Sequence, residues 1–502
     1  MGMELLDPDI SYRALQTRDA RFDGRLFVGV TSTGIYCRPI CPARTPKREN
    51  CRFFAGSAAA QAAGFRACLR CRPEIAPELP GWRGTSNTVS RALALIAGGF
   101  LDHEGGTVEA LAMHVGMGAR QLRRLFDQHL GVTPVAVAQS RRLLFAKQLL
   151  HDTTLSMTDV ALAGGFGSVR RFNHAFRSLY HQAPGELRRA TRAATTNCAA
   201  APVMLQIPYR PPYDWDSMLQ YLRARAIEGL EVIENDVYRR SVLHEGLTGT
   251  ITIKHRADTH SLMATIDFPS VRALQAIVAR IRHQFDVAAD VEAIAAHLSQ
   301  DETLAPLIAS RPGLRAPGCW DGFELPVRAV LGQQVTVAAA RRLGGTLVEQ
   351  WGEPLPHTEH RRLTRTFPTA RCLATADLSR LGMPAARRAT ITALARAATF
   401  VHNSSCLGEQ AKNVSRNCRQ FLASERGRRT ISPCVPSVNR TRSRPLTSAY
   451  YVAQDIWTED RATPLICCSA RRPGDHGGPT RHNTLDRRSV ALSQLHGDVS
   501  CL

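Results

Sequence analysis

The chain has 502 residues, too many for one ordinary hydrophobic core, so about three or four domains are expected. Lys and Arg number 64 against 43 Asp and Glu, a formal net charge of +21. This excess favours a polyanionic partner such as DNA or RNA, with a merely solvated basic surface as the alternative. No apolar run reaches the roughly 18 residues of a membrane span, and the N-terminus does not resemble a secretion signal. We therefore expect a cytoplasmic protein that is not membrane-bound, in which close cysteine pairs bind metal or react.

Four cysteines form two close pairs near the N-terminus. Cys37 and Cys41 make one pair, and Cys68 and Cys71 make the other. Thiolates are soft ligands, and two such pairs suit tetrahedral zinc, so these four side chains are expected to hold a zinc ion. Four reduced structural cysteines are the alternative. Cys51 lies between the pairs and is predicted to be a buried apolar residue.

Many cations surround the cysteines. They include Arg38, Arg44, Lys47, Arg48, Arg66, Arg70 and Arg72. A purely structural zinc site does not need them, whereas a site that meets a phosphate backbone does. We expect DNA contacts from Thr33, Arg44, Lys47, Arg48 and Arg66.

Three segments around the cysteines have a distinctive sequence: residues 33–39 (TGIYCRP), 43–50 (ARTPKREN) and 63–71 (AGFRACLRC). Through these segments, residues 24–75 resemble the N-terminal domain of Ada-type alkylation-response proteins. The resemblance implies that a zinc-bound thiolate, by position Cys37, removes a methyl group from a DNA methylphosphotriester. Zinc keeps such a thiol deprotonated at neutral pH, so it can attack carbon. The thioether product carries less negative charge, which makes the reaction a single-use switch that favours DNA docking.

Residues 86–190 contain two similar helix-turn-helix patterns. In each, a short helix meets a glycine-containing turn and then an arginine-rich helix. In the first, Leu122, Leu125 and Phe126 are predicted to pack inward, and a joining helix is predicted over 134–149. The DNA contacts expected on the two second helices are Arg120, Gln121, Arg124, Ser168, Arg170, Arg171 and Asn173. For any single arginine, a solvated helix face is the alternative.

The pair of units resembles the AraC-type DNA-binding domain, most specifically at residues 165–168 and 174–177. The resemblance implies that both recognition helices enter successive major grooves. Residues 190–201, rich in Ala and Thr, are interpreted as a linker.

Residues 203–290 mix strand-like and helical patterns, and 291–400 are predicted to be helical. The segment 204–215 opens on a strand, and 249–268 alternate apolar and polar residues as in a half-buried sheet. From these patterns alone, an α+β domain followed by helices is expected, with no metal spacing and no obvious nucleophile.

Five short segments of this region are distinctive: residues 211–215 (PPYDW), 311–318 (RPGLRAPG), 323–324 (FE), 328–336 (RAVLGQQVT) and 381–384 (LGMP). Through these segments, the region resembles the AlkA-type alkylbase DNA glycosylases. That family flips a damaged purine out of the duplex and cleaves its N-glycosidic bond. The resemblance implies a sheet domain followed by a helix-hairpin-helix domain, with Gln333 and Gln334 in the segment that wedges into DNA, although Leu is frequent at the second position. Tyr213 and Trp215 are candidates for a base pocket, with ordinary core aromatics as the alternative.

The resemblance stops near Phe400. The family next requires a Pro-Gly-x-Gly hairpin and then a catalytic Asp, and neither is recognisable. Only residues 447–453 resemble the segment after the hairpin, and Asp455 and Asp460 lack the family's flanking residues. The tail is interpreted as a glycosylase end that is read partly out of frame, with a divergent tail as the alternative.

These patterns together predict a multidomain α+β protein. Its parts are a small zinc-bound α/β domain (1–80), an all-α tandem helix-turn-helix domain (86–190), an AlkA-like N-terminal sheet domain (203–290), a partial helix-hairpin-helix glycosylase domain (291–400) and a divergent, disrupted tail (401–502). The resemblances imply repair of alkylated DNA joined to transcription regulation near the nucleoid, with zinc as cofactor and double-stranded DNA and RNA polymerase as partners.

Two rival functions stay open. One is a transcription regulator whose zinc is only structural, and replacement of Cys37 by Ser separates it from a methyl acceptor. The other is a working glycosylase with DNA-docking domains attached, for which release of methylated adenine from DNA is the discriminating assay.

The frame-shift hypothesis predicts that the coding DNA around codons 395–502 contains the missing hairpin and Asp in another reading frame. Sequencing that DNA tests it. If no single-base shift restores a continuous hairpin-and-Asp segment, the tail is a divergent extension instead.

Overall fold

The computed structural model describes residues 7–76, 86–102, 105–191, 202–355 and 360–403. The chain forms two compact units, the first made of residues 1–226, 230–320 and 354–366, and the second of 227–229, 321–353 and 367–502. Within the described ranges, no helix combines the length and the apolar character needed to cross a membrane. From residue 404 onward, the predicted disrupted tail lies outside the described residues, as do Asp455 and Asp460.

The N-terminal part of the first unit is a small sheet with two helices. Its elements are α1 (Pro8–Gln16), β1 (Phe27–Val30), β2 (Ile35–Cys37), β3 (Cys51–Phe54), α2 (Ser57–Ala62) and β4 (Arg66–Ala67). The strand order is β3-β1-β2-β4; β1 runs antiparallel to β2 and β3, and β2 runs parallel to β4. Cys51 packs with Leu26 and Val28 in a small core, which confirms that it is a buried apolar residue. Cys37 is the last residue of β2, where the strand gives way to the loop that carries Cys41.

Seven helices follow in the first unit. They are α3 (Ser86–Ala97), α4 (Val108–His114), α5 (Ala119–Leu130), α6 (Pro134–Asp152), α7 (Met157–Ala163), α8 (Val169–Tyr180) and α9 (Pro184–Thr191). Thr107 and Ser156 cap α4 and α7 by accepting backbone N–H bonds, so the two units begin in the same way. Gly116 and Gly165, with φ of 80° and 77°, supply the left-handed turns before α5 and α8. The joining helix α6 extends three residues beyond its predicted end.

Helix α6 belongs to two hydrophobic cores. The first contains Leu122, Leu125 and Phe126, all buried as predicted, together with Ala138 of α6. The second contains Leu143, Ala146 and Leu149 of α6 with the aromatic residues of α8, Phe172, Phe176 and Tyr180. Helix α6 therefore connects the core that contains α5 to the core that contains α8.

Arg142 lies in the part of α6 between the two cores and binds Leu101 and Asp102 of the first helix-turn-helix half. Its Nε donates to Asp102 Oδ1 at 2.5 Å, and its Nη2 donates to the Leu101 carbonyl at 2.6 Å. A Cβ on Gly165 would lie 2.7 Å from Asp102 Oδ2, so glycine is required there for space as well as for its backbone conformation. Arg142, Asp102 and Gly165 thus fasten the two halves together.

The rest of the first unit is an antiparallel sheet with helices. Its elements are β5 (Val203–Pro208), α10 (Trp215–Arg225), β6 (Glu231–Glu234), β7 (Val237–His244), β8 (Leu247–Arg256), β9 (Ser261–Asp267), α11 (Leu274–Gln284), α12 (Val291–Leu298) and α13 (Ala305–Ser310). The strand order is β5-β9-β8-β7-β6. The alternation in 249–268 corresponds to β8 and β9, in which Ile251, Ile253, Leu262 and Ala264 are buried.

This sheet and the second helix-turn-helix half share one hydrophobic core. Gln148 Nε2 of α6 donates to the Gln206 carbonyl of β5 at 2.9 Å, and Gln275 Nε2 of α11 donates to the Ala163 carbonyl at 3.1 Å. The predicted linker lies outside the described residues from 192 to 201, but the segments on either side of it pack together.

The second unit is helical in its described residues, with α14 (Glu324–Gly332), α15 (Val337–Trp351), α16 (Ala370–Leu373) and α17 (Ala385–Asn403). Its buried apolar side chains include Val327, Leu331, Leu347, Leu373 and Ile391. The predicted boundary at 290/291 does not coincide with the division into units, because residues 291–320, with α12 and α13, belong to the first unit.

We predict that Arg142→Ala loosens the joint between the two helix-turn-helix halves. The mutation removes the ion pair with the largely buried Asp102 carboxylate and the hydrogen bond to the Leu101 carbonyl, which costs about 1–3 kcal/mol. Hydrogen exchange should become faster in residues 86–102 and 134–142. Arg177→Ala, at an exposed position on α8, is the control and should leave exchange there unchanged. Equal protection in both variants would show that Arg142 does not hold the joint.

Candidate functional site

The four predicted zinc ligands come together in the structure. The sulfur atoms of Cys37, Cys41, Cys68 and Cys71 all lie within 4.8 Å of one another. Cys37 comes from the end of β2, Cys41 from the following loop, and the other two from the loop after β4. Because β2 and β4 are paired in parallel, both loops leave the same end of the sheet.

The donor set fits zinc. A tetrahedron with zinc–sulfur bonds of about 2.3 Å has sulfur–sulfur edges of about 3.8 Å, close to the observed grouping. Hydrogen bonding with Cys41, then with Cys68 and Cys71, together with burial, raises the pKa of the Cys37 thiol far above its ordinary value. Hydrogen bonding with Cys37, then with Cys41, lowers the pKa of Cys68 instead. The four sulfurs therefore compete for protons, and a divalent cation allows all four to be thiolates at once.

The four cysteine residues differ in their exposure to solvent. Cys41, Cys68 and Cys71 are only 6%, 6% and 7% exposed. Cys37 is half-buried and is therefore the member of the set that an external molecule can reach. Ile35 and Ala43 pack against the cluster and provide an apolar wall beside it.

Two buried cations brace the cysteine loops from inside the protein. The backbone N–H of Arg38 donates to Cys71 Sγ at 3.4 Å, its Nη1 donates to the Cys71 carbonyl at 3.1 Å, and its Nε donates to buried Asp23 at 2.8 Å. Lys147 of α6 donates to the Cys68 carbonyl at 3.1 Å. The interpretation of all cations near the cysteines as DNA-facing is therefore wrong for Arg38, and Arg72 also pairs internally, with Glu74 and Asp152.

The DNA contacts predicted in the zinc domain have different surroundings. Thr33, Arg44 and Lys47 are exposed. Arg48 is half-buried, with its guanidinium carbon 5.2 Å from the Phe53 ring centre. Arg66 is half-buried on β4, where it pairs in register with Ile35 of β2.

The contacts predicted on α5 and α8 lie on the polar sides of these helices. Arg120, Gln121, Arg124, Arg170 and Arg171 are exposed, and Asn173 is half-buried. Ser168 is exposed and also caps α8, since its Oγ accepts the Arg171 N–H at 3.2 Å. Arg123, by contrast, is bound to Glu109 at 2.7 Å.

Sequence reasoning missed two members of the α8 surface. His174 and Arg177 line the same open groove as Arg170 and Asn173 and are exposed. Their spacing of three and four residues along the helix was the available signal, because such positions share one helix face.

Gln333 and Gln334 occupy the turn between α14 and α15. Gln333 ends α14, and its carbonyl accepts a hydrogen bond from Arg387 Nη1 at 2.7 Å. Gln334 is exposed and adopts a left-handed conformation with φ of 56°. The turn therefore presents the Gln334 side chain to solvent.

Tyr213 and Trp215 are part of the core of the first unit. The Tyr213 hydroxyl donates to the Phe285 carbonyl at 2.6 Å, and the Trp215 Nε1 donates to the Asp236 carbonyl at 3.2 Å. The Trp215 ring stacks on His255 and Phe285. These contacts are those of ordinary core aromatics, the alternative to a base pocket.

Known proteins resemble this chain in three consecutive regions. A family model described as the metal-binding domain of Ada matches residues 11–74, a helix-turn-helix domain model matches 111–190, and an AlkA N-terminal domain model matches 204–321. The chain is 40% identical over 385 residues to the probable bifunctional transcriptional activator/DNA repair enzyme AlkA of Mycobacterium tuberculosis, which covers 76% of this chain and 77% of that protein.

The chain belongs to the Ada/AlkA family of bifunctional transcriptional activator and DNA repair proteins. Two Escherichia coli relatives match its separate parts. The bifunctional transcriptional activator/DNA repair enzyme Ada is 35% identical over 159 residues (32% of this chain, 43% of that protein). DNA-3-methyladenine glycosylase 2 is 34% identical over 198 residues (39% of this chain, 67% of that protein). The resemblances to Ada-type, AraC-type and AlkA-type proteins are thereby confirmed, and the family and the four-sulfur cluster together establish a zinc site.

The zinc site generates a direct prediction. Cys41→Ser, Cys68→Ser and Cys71→Ser should each lower the zinc content of the purified chain well below one ion per chain, because each replaces a soft thiolate ligand by a poor one. Cys51→Ser, which changes a cysteine outside the cluster, should retain the metal. Atomic absorption after gel filtration measures this. Full zinc retention in all three ligand variants would rule out the four-sulfur site.

Proposed function

We propose that this chain detects and repairs alkylated DNA by transferring a methyl group from a DNA methylphosphotriester to Cys37. The observation that carries the proposal is the unequal exposure of the four cysteine residues, with Cys37 half-buried and the other three buried. A purely structural site has no need for an accessible ligand. A thiolate that attacks an external methyl carbon has to be accessible.

The transfer is a single displacement. Bound zinc keeps the ligand thiols deprotonated at neutral pH and so supplies a thiolate at this position. The Cys37 sulfur forms a bond to the methyl carbon as the bond from that carbon to the phosphate oxygen breaks. The electron pair leaves with the oxygen, and the phosphotriester becomes an ordinary phosphodiester anion. No proton is needed, and Cys37 ends as an S-methyl thioether.

The surroundings of Cys37 suit a neutral phosphotriester that is flanked by negatively charged DNA phosphates. A methylated phosphate carries no charge, so it approaches the thiolate without the repulsion that an ordinary phosphate meets. Exposed Arg44 and Lys47 are placed to pair with the flanking phosphates, with Thr33, Arg48 and Arg66 as further contacts. Conversion of Cys37 to a thioether removes one negative charge, which strengthens docking of this face on DNA.

The helix-turn-helix domain binds promoter DNA in this proposal. Helices α5 and α8 each bury one apolar face and expose arginines on the other, which is the arrangement of a major-groove recognition helix. Stronger docking after methyl transfer would then activate transcription by recruiting RNA polymerase. In this proposal the zinc domain accepts the methyl group and the helix-turn-helix domain binds the promoter. The sheet and helical domains that follow are the glycosylase-like part of the chain.

In this proposal the AlkA-like region is derived from a DNA base glycosylase. The exposed Gln334 at the α14–α15 turn supports a DNA-facing role for the Gln333–Gln334 segment. The hairpin and the Asp that base excision requires in that family would fall beyond residue 403, outside the described residues. Because neither the hairpin nor that Asp is recognisable in the sequence, the repair activity that we propose is methyl transfer to Cys37 rather than base excision.

Cys37→Ser tests the proposal. With DNA that carries radiolabelled methylphosphotriesters, we expect wild-type chain to take up label and the variant to take up none, because a neutral hydroxyl is a far weaker nucleophile. Cys319→Ser, a half-buried cysteine outside the cluster, is the matched control and should transfer label like wild type.

Zinc content is measured in parallel, so that loss of the metal is not mistaken for loss of the acceptor. Label found on the Cys37→Ser chain at the wild-type level would overturn the assignment. It would leave the zinc with a structural role only.

A further inference from the structure

A fully buried ion pair lies between the zinc-ligand loop and helix α6. Glu74, three residues after Cys71, and Lys147, in the middle of α6, each have side chains that are 0% exposed. Lys147 Nζ lies 2.5 Å from Glu74 Oε2 and also donates to the Cys68 carbonyl at 3.1 Å. One ammonium group of the DNA-binding domain is therefore bound directly to the backbone of a zinc ligand.

A second contact strengthens this joint at the end of α6. Arg72 donates to Glu74 Oε1 at 3.1 Å and to Asp152 Oδ1 at 2.7 Å. Its backbone is left-handed, with φ of 51°, a conformation that a residue with a Cβ keeps only when its contacts fix it. Glu74, Lys147, Arg72 and Asp152 form a closed set of charges, which we call the buried joint.

The buried joint reaches both recognition helices through α6. Ala138 of α6 packs in the core that contains α5, and Leu143 and Ala146 pack in the core that contains α8. Helix α2 of the zinc domain also packs on α6, and β4 contacts α8. The zinc-ligand loop therefore has a fixed place relative to the two DNA-reading helices within the first unit.

We propose that the buried joint makes the zinc centre and the two recognition helices one rigid DNA-docking body, so that the bound DNA sequence determines which phosphate is presented to Cys37. This deepens the proposed function and rests on it, because it assigns positional selectivity to the methyl transfer. Lys147 is then a positioning residue. It does not touch DNA or the methyl group, and acts by holding the Cys68 loop.

Rigid attachment has a measurable consequence on DNA. If the zinc centre and the recognition helices form one rigid body, Cys37 lies at a fixed distance from the DNA sequence that the helices bind. Only phosphates at that distance, on one side of the duplex, then come near Cys37. Those half a helical turn away do not. A flexible tether would instead allow Cys37 to reach many phosphates at similar rates.

The test uses the full chain and three variants. Lys147→Met leaves buried Glu74 with Arg72 but without the ammonium group of Lys147, a change that can impair folding. The double variant Glu74→Gln/Lys147→Met removes both charges of the ion pair together. Lys254→Met, the same substitution at an exposed lysine of β8, is the control. Each variant is checked for zinc content before use.

The first measurement is a distance distribution between spin labels on genetically encoded residues at exposed Gln16 of α1 and Gln128 of α5. A single narrow distribution is expected for wild type and Lys254→Met, and a broad one for the double variant. A narrow distribution in the double variant, or a broad one in wild type, would overturn the proposal.

The second measurement is methyl transfer from defined DNA. A duplex sequence that the wild-type chain binds is first selected from a random pool. A series of duplexes with this sequence is then synthesised, each with a single methylphosphotriester at a different phosphate. For wild type, transfer should fall by roughly tenfold or more half a helical turn from the best position. The double variant should lose this pattern. A uniform wild-type profile contradicts positional selectivity.

The two measurements separate failure of the joint from failure of the proposed function. If wild type accepts methyl from none of the duplexes, the methyl-acceptor function fails, while the label distances still show whether the joint is rigid. If methyl transfer occurs but the distance distribution between the spin labels does not depend on Lys147, the proposed role of the buried joint is wrong and the proposed function stands.

Discussion

Four sulfur atoms within 4.8 Å of one another impose the constraint on which the N-terminal part of this protein depends. Without a cation, the thiols share protons, since mutual hydrogen bonding raises the pKa of Cys37 and lowers that of Cys68. Bound zinc would allow all four to be thiolates and would hold two loops that are separate in sequence, after β2 and after β4, at one edge of a small sheet. Cys37, at the end of a short strand, is half-buried, whereas its three partners are buried.

Charged side chains buried inside the first unit connect the zinc-ligand loops to the other parts of this unit. Arg38 ties the Cys71 loop to Asp23, and Lys147 ties the Cys68 loop to helix α6. Helix α6 in turn shares its cores with both recognition helices and, through Gln148, bonds to the first strand of the AlkA-like sheet. Three regions that match separate families are thus joined by internal contacts.

Much of this organisation could be predicted from local sequence patterns. The cysteine spacing identified the metal ligands because each pair closes a small chelate, and the apolar periodicity of α5 identified Leu122, Leu125 and Phe126 as core residues. The burial of Arg38, Lys147 and Glu74 could not be predicted, because these residues lie far from their partners in sequence and a charge has no apolar signature. Likewise, Tyr213 and Trp215 were ambiguous until their polar atoms were found bonded to backbone carbonyls inside the core.

In our proposal the thiolate of half-buried Cys37 is the chemical acceptor. This assignment is tested most directly by peptide mass mapping of the wild-type chain after incubation with methylphosphotriester DNA. The account predicts the added mass of one methyl group on the peptide that contains Cys37, with Cys41, Cys68 and Cys71 unmodified. A methyl group found on another cysteine, or an unmodified Cys37 peptide after the DNA has lost its methyl groups, would contradict it.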